Sequence, residues 1–259
     1  MDRPAAADLL AVAREAARAG AEVLLPRFGR ERATGAKSSP TDAVSAADLA
    51  SEHAIRAVLA ARRPDDGILG EEGTGDVPGT SGLRWVVDPL DGTVNYLYGV
   101  PQWCVSIAVE AGDGTLAAVV YDPVRGETFS ATADGDATLD GERLDGSSCD
   151  DVARALVATG FGYASDVRRG QAAVVARVLP QVRDIRRAGS AALDLAWLAA
   201  GRFDAYYERG VKPWDVAAGL LLCERAGLGV RRLAAADGVP AGVLVAPPAL
   251  LEPLGELVA

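Results

Sequence analysis

Apolar residues near the start of the chain recur at three- and four-residue spacing, which is the period of an amphipathic helix. Two prolines bracket this first predicted helix, and the positions on its apolar face are Leu9, Val12, Ala13, Ala16, Gly20, Val23 and Leu24. A second helix is predicted from Ser45 to about Arg63, because Ser45 followed three residues later by Asp48 is typical of a capping box. The beginning of the chain therefore contributes a pair of helices.

Short apolar runs in the middle of the chain predict strands. The run 83–88 ends in an acid that is followed by proline, so we expect a buried strand that delivers Asp88 at its carboxyl end. Alternating residues at 105–109, a glycine-rich turn at 112–114 and a returning run at 116–121 predict a hairpin, and the next residues continue the meander. This part of the chain is therefore predicted to form an antiparallel sheet.

After about residue 150 the pattern changes to short strands that alternate with helices. The predicted strands are ALVATG, FDAYYE and GVLVA, and the predicted helices are QAAVVARVLP, SAALDLAWLAAG and DVAAGLLLCERAG. We therefore predict an α/β (α+β) chain in two parts. Residues 1–145 hold the helix pair and the antiparallel sheet, and residues 146–259 hold a mixed α/β half.

Composition and charge exclude several classes of protein. The chain has 259 residues and a formal net charge of -10. This charge argues against binding to nucleic acid or to an anionic membrane, because such binding needs clustered Lys and Arg. No apolar run approaches the roughly 20 residues of a membrane helix, and the first residues lack the layout of a secretory signal, so we expect a cytoplasmic protein. With one histidine, His53, and three scattered cysteines, any metal is expected to be bound by oxygen.

Acidic residues stand out in four short motifs: GEEG with Glu71, DPLDGT with Asp88 and Asp91, DAYYE with Glu208, and KPWDVAAG with Asp215. Taken alone, each motif is also typical of a solvated loop, a turn or a helix start. Their placement relative to the predicted strands and helices favours a functional interpretation.

The surroundings of Asp88 show why. Asp88 ends a strand, Asp91 follows across a tight turn, and the next two residues open a predicted helix, so carboxylate oxygens and free backbone N–H groups face one spot. If Glu71 and Asp215 join them, the carboxylates repel one another and their pKa values rise unless cations neutralise them. Mg²⁺ prefers such oxygen ligands, and paired divalent ions attract phosphate, orient water and stabilise a leaving oxygen. The residues therefore predict metal-dependent phosphoester hydrolysis.

Two of these segments carry a family signature. WVVDPLDGTVNYLYGVPQWCVSIAV resembles the pattern D-P-[ILV]-D-G-T-x-N-[FY], and KPWDVAAG resembles its partner W-D-x-A-[AG]-G, of the inositol monophosphatase family. Further motifs of the family occur in the same order: K-x-x-P-x-D at 37–42, Asp48, GEE at 70–72, GSAALDL at 189–195 and DAYYE at 204–208. By this resemblance the chain is identified as a member of the family over nearly its whole length.

The resemblance implies a Mg²⁺-dependent, Li⁺-inhibited phosphatase. Its implied fold is the layered α-β-α-β-α sandwich of the inositol monophosphatase and fructose-1,6-bisphosphatase type, and its implied assembly is a homodimer. Glu71, Asp88 and the Leu90 carbonyl resemble the ligands of a first Mg²⁺, and Asp88, Asp91 and Asp215 resemble those of a second. A third, weaker Mg²⁺ is implied at Glu71.

The same resemblance implies roles in catalysis and substrate binding. Water would be oriented by Glu71 and Thr93, with Asp48 bonded to Thr93 and with Lys37 in the loop that closes over the metals. The backbone of Gly92 and Thr93 would hold the phosphate. The implied substrate-binding residues are Leu90, Asp91, Gly92, Thr93, Gly189, Ser190, Ala191, Glu208 and Asp215.

Several alternatives stay open at this point. The three-residue spacing of Asp88 and Asp91 disfavours a haloacid-dehalogenase-type phosphatase, whose nucleophilic Asp is followed by an acid two residues later. Inositol monophosphate is favoured as the substrate over histidinol phosphate, 3'-phosphoadenosine 5'-phosphate and fructose 1,6-bisphosphate. An extra phosphate would call for a basic cluster, for which the candidates are Arg183, Arg186 and Arg187. The same three arginines are equally typical of a solvated strand edge. A non-catalytic regulatory partner with the same fold is the remaining alternative.

Two positions depart from the family pattern. Arg225 occupies the place of the glutamate in the usual E-A-G sequence, which puts the structure at that helix end in question. Tyr163 falls near a position where relatives carry a small polar residue beside the substrate.

Overall fold

The computed structural model describes residues 4–31, 33–36, 43–72, 76–112, 114–236 and 238–259. The helices in these ranges are α1 (Ala6–Leu24), α2 (Ala46–Arg62), α3 (Thr93–Tyr98), α4 (Ser165–Val178), α5 (Ala191–Ala199), α6 (Pro213–Arg225) and α7 (Pro248–Val258). The strands are β1 (Ala33–Ala36), β2 (Ala43–Ser45), β3 (Gly67–Gly70), β4 (Asp76–Val77), β5 (Arg84–Asp91), β6 (Cys104–Ala111), β7 (Gly114–Asp122), β8 (Glu127–Thr132), β9 (Thr138–Leu139), β10 (Glu142–Arg143), β11 (Leu156–Thr159), β12 (Asp184–Arg186), β13 (Ala205–Arg209), β14 (Gly229–Leu233) and β15 (Gly242–Ala246).

The two N-terminal helices form as the sequence predicts, and they pack against each other. The capping box of α2 is present, since Ser45 Oγ accepts a hydrogen bond from the Ala47 amide and the Ser45 amide donates to Asp48 Oδ2 at 3.0 Å. The helices approach closely at Gly20, where an added Cβ would lie 2.8 Å from Ser51 Oγ. A residue without a side chain is therefore required at this crossing.

The larger sheet runs in the order β10-β9-β8-β7-β6-β5-β3-β4 within the described residues. Its neighbouring strands are antiparallel except β3 and β5, which are parallel. The predicted hairpin is confirmed as β6 and β7. The strand that was expected to end at Asp88 continues to pair with β6 as far as Asp91, after an irregularity between these two residues. The signature DPLD therefore lies within a bulged strand end.

The smaller sheet has the order β12-β11-β13-β15-β14 in the described part of the chain. β11 is parallel to both β12 and β13, whereas β15 is antiparallel to β13 and β14. The three predicted strands of this half are confirmed as β11, β13 and β15. The sequence did not predict β12 or β14, which are the two edge strands.

Three apolar clusters in the described residues show how the layers stack. One lies between α1, α2 and the larger sheet and contains Trp85 and Trp103. A second joins the other face of that sheet to α5, α6 and the smaller sheet, with Leu193 as one of its members. The third packs α4 and α7 against the outer face of the smaller sheet, through Val178 and Leu250. The layers are therefore α-β-α-β-α, as expected.

No helix in the described ranges combines the length and the apolar character needed to cross a membrane.

Candidate active site

A cavity of about 620 Å³ lies where the end of β5 meets the starts of α3, α5 and α6. Its lining includes most of the residues that the sequence assigned to the site: Glu71, Asp88, Leu90, Asp91, Gly92, Thr93, Gly189, Ser190, Ala191, Glu208 and Asp215. Asp48 is not among the lining residues and is fully buried. Lys37 lies outside the described residues. The structure thus brings together segments that are more than a hundred residues apart in the chain.

The turn that follows Asp88 is built by the residues of the signature. The Leu90 amide donates a hydrogen bond to Asp88 Oδ1 at 3.0 Å, which fixes the carboxylate against its own turn. Gly92 has φ of 95°, and an added Cβ would lie 2.9 Å from the Gln102 carbonyl oxygen. Only glycine fits this conformation and this space, and it places the first amides of α3 at the cavity.

Asp91 is held by the first turn of α5. Its Oδ2 accepts hydrogen bonds from Ser190 Oγ and from the Ala192 amide, both at 2.7 Å. Asn95 of the signature contacts the segment that precedes α5, because its side-chain amide donates a hydrogen bond to the Ala188 carbonyl at 2.8 Å. The DPLDGTVN and GSAALDL segments therefore form one hydrogen-bonded unit.

Thr93 and Asp48 form a buried pair behind the cavity. Thr93 Oγ1 lies 2.9 Å from Asp48 Oδ1 and 3.1 Å from the Leu90 carbonyl oxygen. The other carboxylate oxygen of Asp48 accepts from the amide and the hydroxyl of Ser45, at 3.0 and 2.6 Å. The capping box of α2 therefore holds the partner of Thr93 in place.

Asp215 enters the cavity from the start of α6. Its Oδ2 accepts a hydrogen bond from the Lys212 amide at 2.7 Å. Burial, followed by the charges of Asp91 and Glu71, raises the pKa of Asp215 well above its ordinary value. Burial and the charge of Glu71 also raise the pKa of Asp91, to about 6. Carboxylates from three segments are therefore close enough to repel one another.

The donor set fits a hard divalent cation. The predicted ligands supply oxygen alone, from Glu71, Asp88, Asp91 and Asp215 and from the Leu90 carbonyl. A cation would compensate the burial and the mutual repulsion that raise the pKa values of Asp91 and Asp215. In the described part of the chain, no three or more His, Cys, Asp and Glu side chains already form a closed metal-binding group. The carboxylates therefore line a shared cavity without forming a preassembled cage.

The end of the cavity around Glu208 contains a residue that sequence reasoning missed. Asp194 lines the cavity, is only 1% exposed and sits on α5 one turn after Ser190. Burial, then the charges of Glu208 and Asp91, raise its pKa well above the ordinary value. The available signal was a single acid in the apolar helix SAALDLAWLAAG. Glu208 itself has a pKa raised to about 7, chiefly by burial.

The three arginines named as candidates for a second phosphate do not act together. Arg187 lines the cavity. Arg183 instead donates to the Arg154 carbonyl, and Arg186 pairs with Asp184. The sequence had left open a solvated strand edge for this segment, and β12 is indeed an edge strand.

The two departures from the family pattern have structural positions. Arg225 ends α6, and its Nε donates to the Gly135 carbonyl at 2.5 Å, which ties the helix end to the turn after β8. Tyr163 lines the cavity and is 40% exposed. The first departure is therefore structural, whereas the second lies where it can contact a ligand.

Comparison with known proteins gives consistent results. The sequence model of the inositol monophosphatase family matches residues 6–255. Inositol-1-monophosphatase SuhB of Mycobacterium tuberculosis is 49% identical over 203 residues, which cover 75% of this chain and 70% of that protein. Nus factor SuhB of Xylella fastidiosa is 44% identical over 216 residues, which cover 82% of this chain and 78% of that protein. The solved structure of Mycobacterium tuberculosis SuhB matches with a TM-score of 0.83 and 39% identity, over 99% of this chain and 97% of that chain. The predicted layered fold is thereby confirmed.

Proposed function

Since the chain belongs to the inositol monophosphatase family, we propose that it is a Mg²⁺-dependent phosphomonoesterase that hydrolyses an inositol monophosphate to inositol and phosphate. The observation that carries this proposal is the shared cavity of Glu71, Asp88, Asp91 and Asp215 beside the first amides of α3. The cavity thus combines acidic oxygen donors with backbone N–H groups that suit an anion.

The metal ligands of the proposal are residues of this cavity. Glu71, Asp88 and the Leu90 carbonyl would hold one ion, and Asp88, Asp91 and Asp215 a second, with a third, weaker ion at Glu71. When bound, Mg²⁺ ions supply positive charge that attracts the phosphate, lowers the pKa of water and stabilises the leaving oxygen. The bonds from Ser190, Ala192 and Lys212 orient Asp91 and Asp215 before any ion binds.

Thr93 and Glu71 would position the attacking water. The hydroxyl of Thr93 would donate its one hydrogen bond to Asp48 Oδ1, because the Leu90 carbonyl is used as a metal ligand in the proposal. The Thr93 oxygen then has lone pairs with which to accept a hydrogen bond from water. Glu71 is half-buried in the same cavity lining and would accept a proton as the water attacks phosphorus in line, while the bond from phosphorus to the inositol oxygen breaks on the opposite side. This route needs no phosphoenzyme.

Backbone and side-chain groups around the attacking water would hold the substrate. The amides of Gly92 and Thr93 suit the phosphate, since they are the first groups of α3 and lie in the cavity lining. Glu208 and the segment from Gly189 to Ala191 suit the alcohol, because a carboxylate accepts hydrogen bonds from hydroxyl groups.

A phosphate-release panel tests the proposal. With Mg²⁺, inositol 1-phosphate should be hydrolysed faster than histidinol phosphate, 3'-phosphoadenosine 5'-phosphate or fructose 1,6-bisphosphate, and Li⁺ should inhibit. Asp215→Asn keeps the shape of the side chain and should abolish hydrolysis, while the exposed Asp134→Asn should not. Mg²⁺ should also raise the thermal midpoint of the wild type more than that of Asp215→Asn. Unchanged turnover in Asp215→Asn would contradict the proposed ligand set, and full activity in high Li⁺ would contradict the assignment of its second ion.

A regulatory partner is the second candidate, because relatives with 44% and 39% identity carry the name Nus factor SuhB. The retained carboxylates favour an enzyme, since buried acids without a cation destabilise a fold. The same panel separates the two, because absence of hydrolysis with every substrate would favour the regulatory candidate.

We also propose a homodimer that works in the cytoplasm. Tyr98 is 83% exposed, and Val100 and Val124 are exposed nearby, where Arg125 donates to the Pro101 carbonyl at 2.9 Å. An apolar surface of this kind suits contact with a second copy. Sedimentation equilibrium should give twice the chain mass, and Tyr98→Asp should shift the protein toward the monomer.

A further inference from the structure

We propose that the buried guanidinium of Arg209, together with the Tyr207 hydroxyl, binds a small monovalent anion of the halide class, such as chloride. The site lies outside the proposed metal centre, on the other face of the smaller sheet. It is independent of the proposed function, because no step of the hydrolysis uses it.

A small cavity lies between β13 and α4, on the outer face of the smaller sheet. Side chains alternate between the two faces along β13, so Tyr207 and Arg209 share the face opposite to Glu208. Both residues line the cavity, together with Gln171 and Val174 of α4. The cavity has a volume of about 10 Å³, which admits one atom of the size of water.

Arg209 carries a positive charge, is only 4% exposed and has neutral hydrogen-bond partners. Its Nη1 donates to the carbonyls of Ala234 and Pro240 at 2.6 and 3.2 Å, and its Nη2 donates to the Val258 carbonyl at 2.9 Å. Burial and the charge of Arg177 lower the pKa of Arg209, and no carboxylate in the described part of the chain counteracts this lowering. Because carbonyl oxygens carry only partial charges, an anion would add the full opposite charge that stabilises a buried cation.

Two donors of the cavity lining lack an acceptor. Arg209 Nε and the Tyr207 hydroxyl are both buried without a hydrogen-bond partner among the described residues. Burial raises the pKa of Tyr207, and the Thr159 hydroxyl beside it has the opposite effect. Thr159 donates its own proton to the Tyr207 carbonyl at 2.7 Å, so the Tyr207 hydroxyl is left to turn toward the cavity. A cationic N–H and a hydroxyl therefore line one small space, and this pair of donors suits an anion.

Chloride suits this cavity better than a water molecule or a larger anion does. Chloride accepts hydrogen bonds from both donors and offsets the charge of Arg209, whereas water would leave that charge uncompensated. Sulfate and phosphate exceed the space of one water-sized atom. Four lining residues, Gly160 and Arg209 among them, also line the large cavity, so the two cavities adjoin and an ion has a route from solvent.

Thermal unfolding in different sodium salts tests the site. With Mg²⁺ added as its gluconate, the wild type should unfold ~5 °C higher in about 0.5 M chloride than in gluconate of the same ionic strength. Tyr207→Phe removes one donor and should need about 10-fold more chloride for the same shift. Tyr96→Phe is the matched control, because it removes a buried hydroxyl that already donates to the Leu24 carbonyl at 2.7 Å. Its chloride dependence should equal that of the wild type.

Crystals soaked in sodium bromide provide a direct readout. The anomalous signal should place one bromide within hydrogen-bond distance of Arg209 Nε and of the Tyr207 hydroxyl. Arg209→Gln removes the cation and should abolish both this signal and the chloride shift, and Tyr207→Phe tests the site even if Arg209→Gln fails to fold. A water molecule in the cavity without anomalous signal would overturn the proposal, as would equal chloride dependence in Tyr207→Phe and Tyr96→Phe. Neither measurement involves hydrolysis, so the proposed function can fail while the anion site stands.

Discussion

Ser190 donates a hydrogen bond of 2.7 Å to Asp91 Oδ2. Ser190 lies at the start of α5, and Asp91 lies at the end of β5 in the larger sheet. The same oxygen also accepts from the Ala192 amide. A carboxylate that is held at one oxygen by a hydroxyl and a helix amide has a fixed orientation before a cation arrives. The bond thus connects the packing of the central helix layer to the proposed metal ligands.

Ser190→Ala removes this hydroxyl and should weaken metal binding more than it weakens the fold. A hydrogen bond to a charged group contributes about 2 kcal/mol, so kcat/KM at low Mg²⁺ should fall about 30-fold, with partial recovery at high Mg²⁺. Ser130→Ala removes another buried hydroxyl, which accepts a hydrogen bond from Arg14 and does not line the cavity, and serves as the control. Equal Mg²⁺ dependence in the two variants would contradict a positioning role for Ser190.

Thr93→Val tests the pairing of the hydroxyl with Asp48. Valine keeps the shape of threonine but can neither donate to Asp48 Oδ1 nor accept a hydrogen bond from water. Loss of a group that positions the attacking water is expected to lower kcat about 100-fold with little change in KM. Thr93→Ser retains the hydroxyl and should recover most of kcat. A valine variant with normal kcat would remove Thr93 from the proposed mechanism.

Gly92→Ala should destabilise the turn and abolish activity, because φ of 95° is strained for alanine and its Cβ would contact the Gln102 carbonyl. The left-handed conformation alone costs about 1–2 kcal/mol. Gly82→Ala is a matched control, since Gly82 has φ of 82° and open space around its Cβ position. Urea unfolding should show a greater loss for Gly92→Ala, and only Gly82→Ala should retain phosphate release. Equal losses would mean that the contact with Gln102 is not important.

The sequence predicted those parts of the fold that depend on local patterns. The period of α1, the capping box of α2 and the hairpin of β6 and β7 all follow from neighbouring residues. The edge strands β12 and β14 were not among the predicted strands, because their alternation is weak. β12 in addition pairs with β11, from which α4 separates it in the chain. Continued pairing of β5 beyond Asp88 depends on β6 in the same way.

In the candidate site, too, local sequence patterns were predictable and contacts between distant segments were not. The carboxylates that are proposed to bind metal were found from motifs, whereas the contacts between motifs needed the structure. Arg225 bonds to Gly135, 90 residues away, and this partner is not readable from the helix in which Arg225 lies. Asp194 was overlooked because it lies in an otherwise apolar helix, and only the structure shows that it lines the cavity. The partner of Arg225 and the cavity position of Asp194 both depend on the tertiary structure.

Glu208→Gln should change how the stability of the metal-free protein depends on pH. Burial raises the pKa of Glu208 from 4.5 to about 7, so the folded state binds this proton more tightly than the unfolded state does. The folded state is therefore favoured most below pH 4.5, and this contribution is lost as the pH rises toward 7. Such a shift corresponds to at most ~3 kcal/mol, and partial exposure reduces it.

The groups around Glu208 act in both directions on its pKa. Tyr206 and Arg187 lower it, and Asp91 raises it, while the charge of Glu208 raises in turn the pKa values of Asp194 and Asp215. Most of these groups titrate in both proteins, so the difference between the variant and the wild type reports the titration of Glu208 together with its charge coupling to Asp194 and Asp215.

Unfolding by urea in the presence of a chelator measures that comparison. The free energy of unfolding of Glu208→Gln minus that of the wild type should increase by about 1–2 kcal/mol between pH 5 and pH 8, because only the wild type must bury a charged carboxylate at the higher pH. Glu142→Gln, at an exposed position in β10, is the control and should show a flat difference. A flat difference for Glu208→Gln as well would mean that Glu208 is ionised at no cost in the folded protein, and would place its charge in contact with solvent instead of in the buried cavity wall.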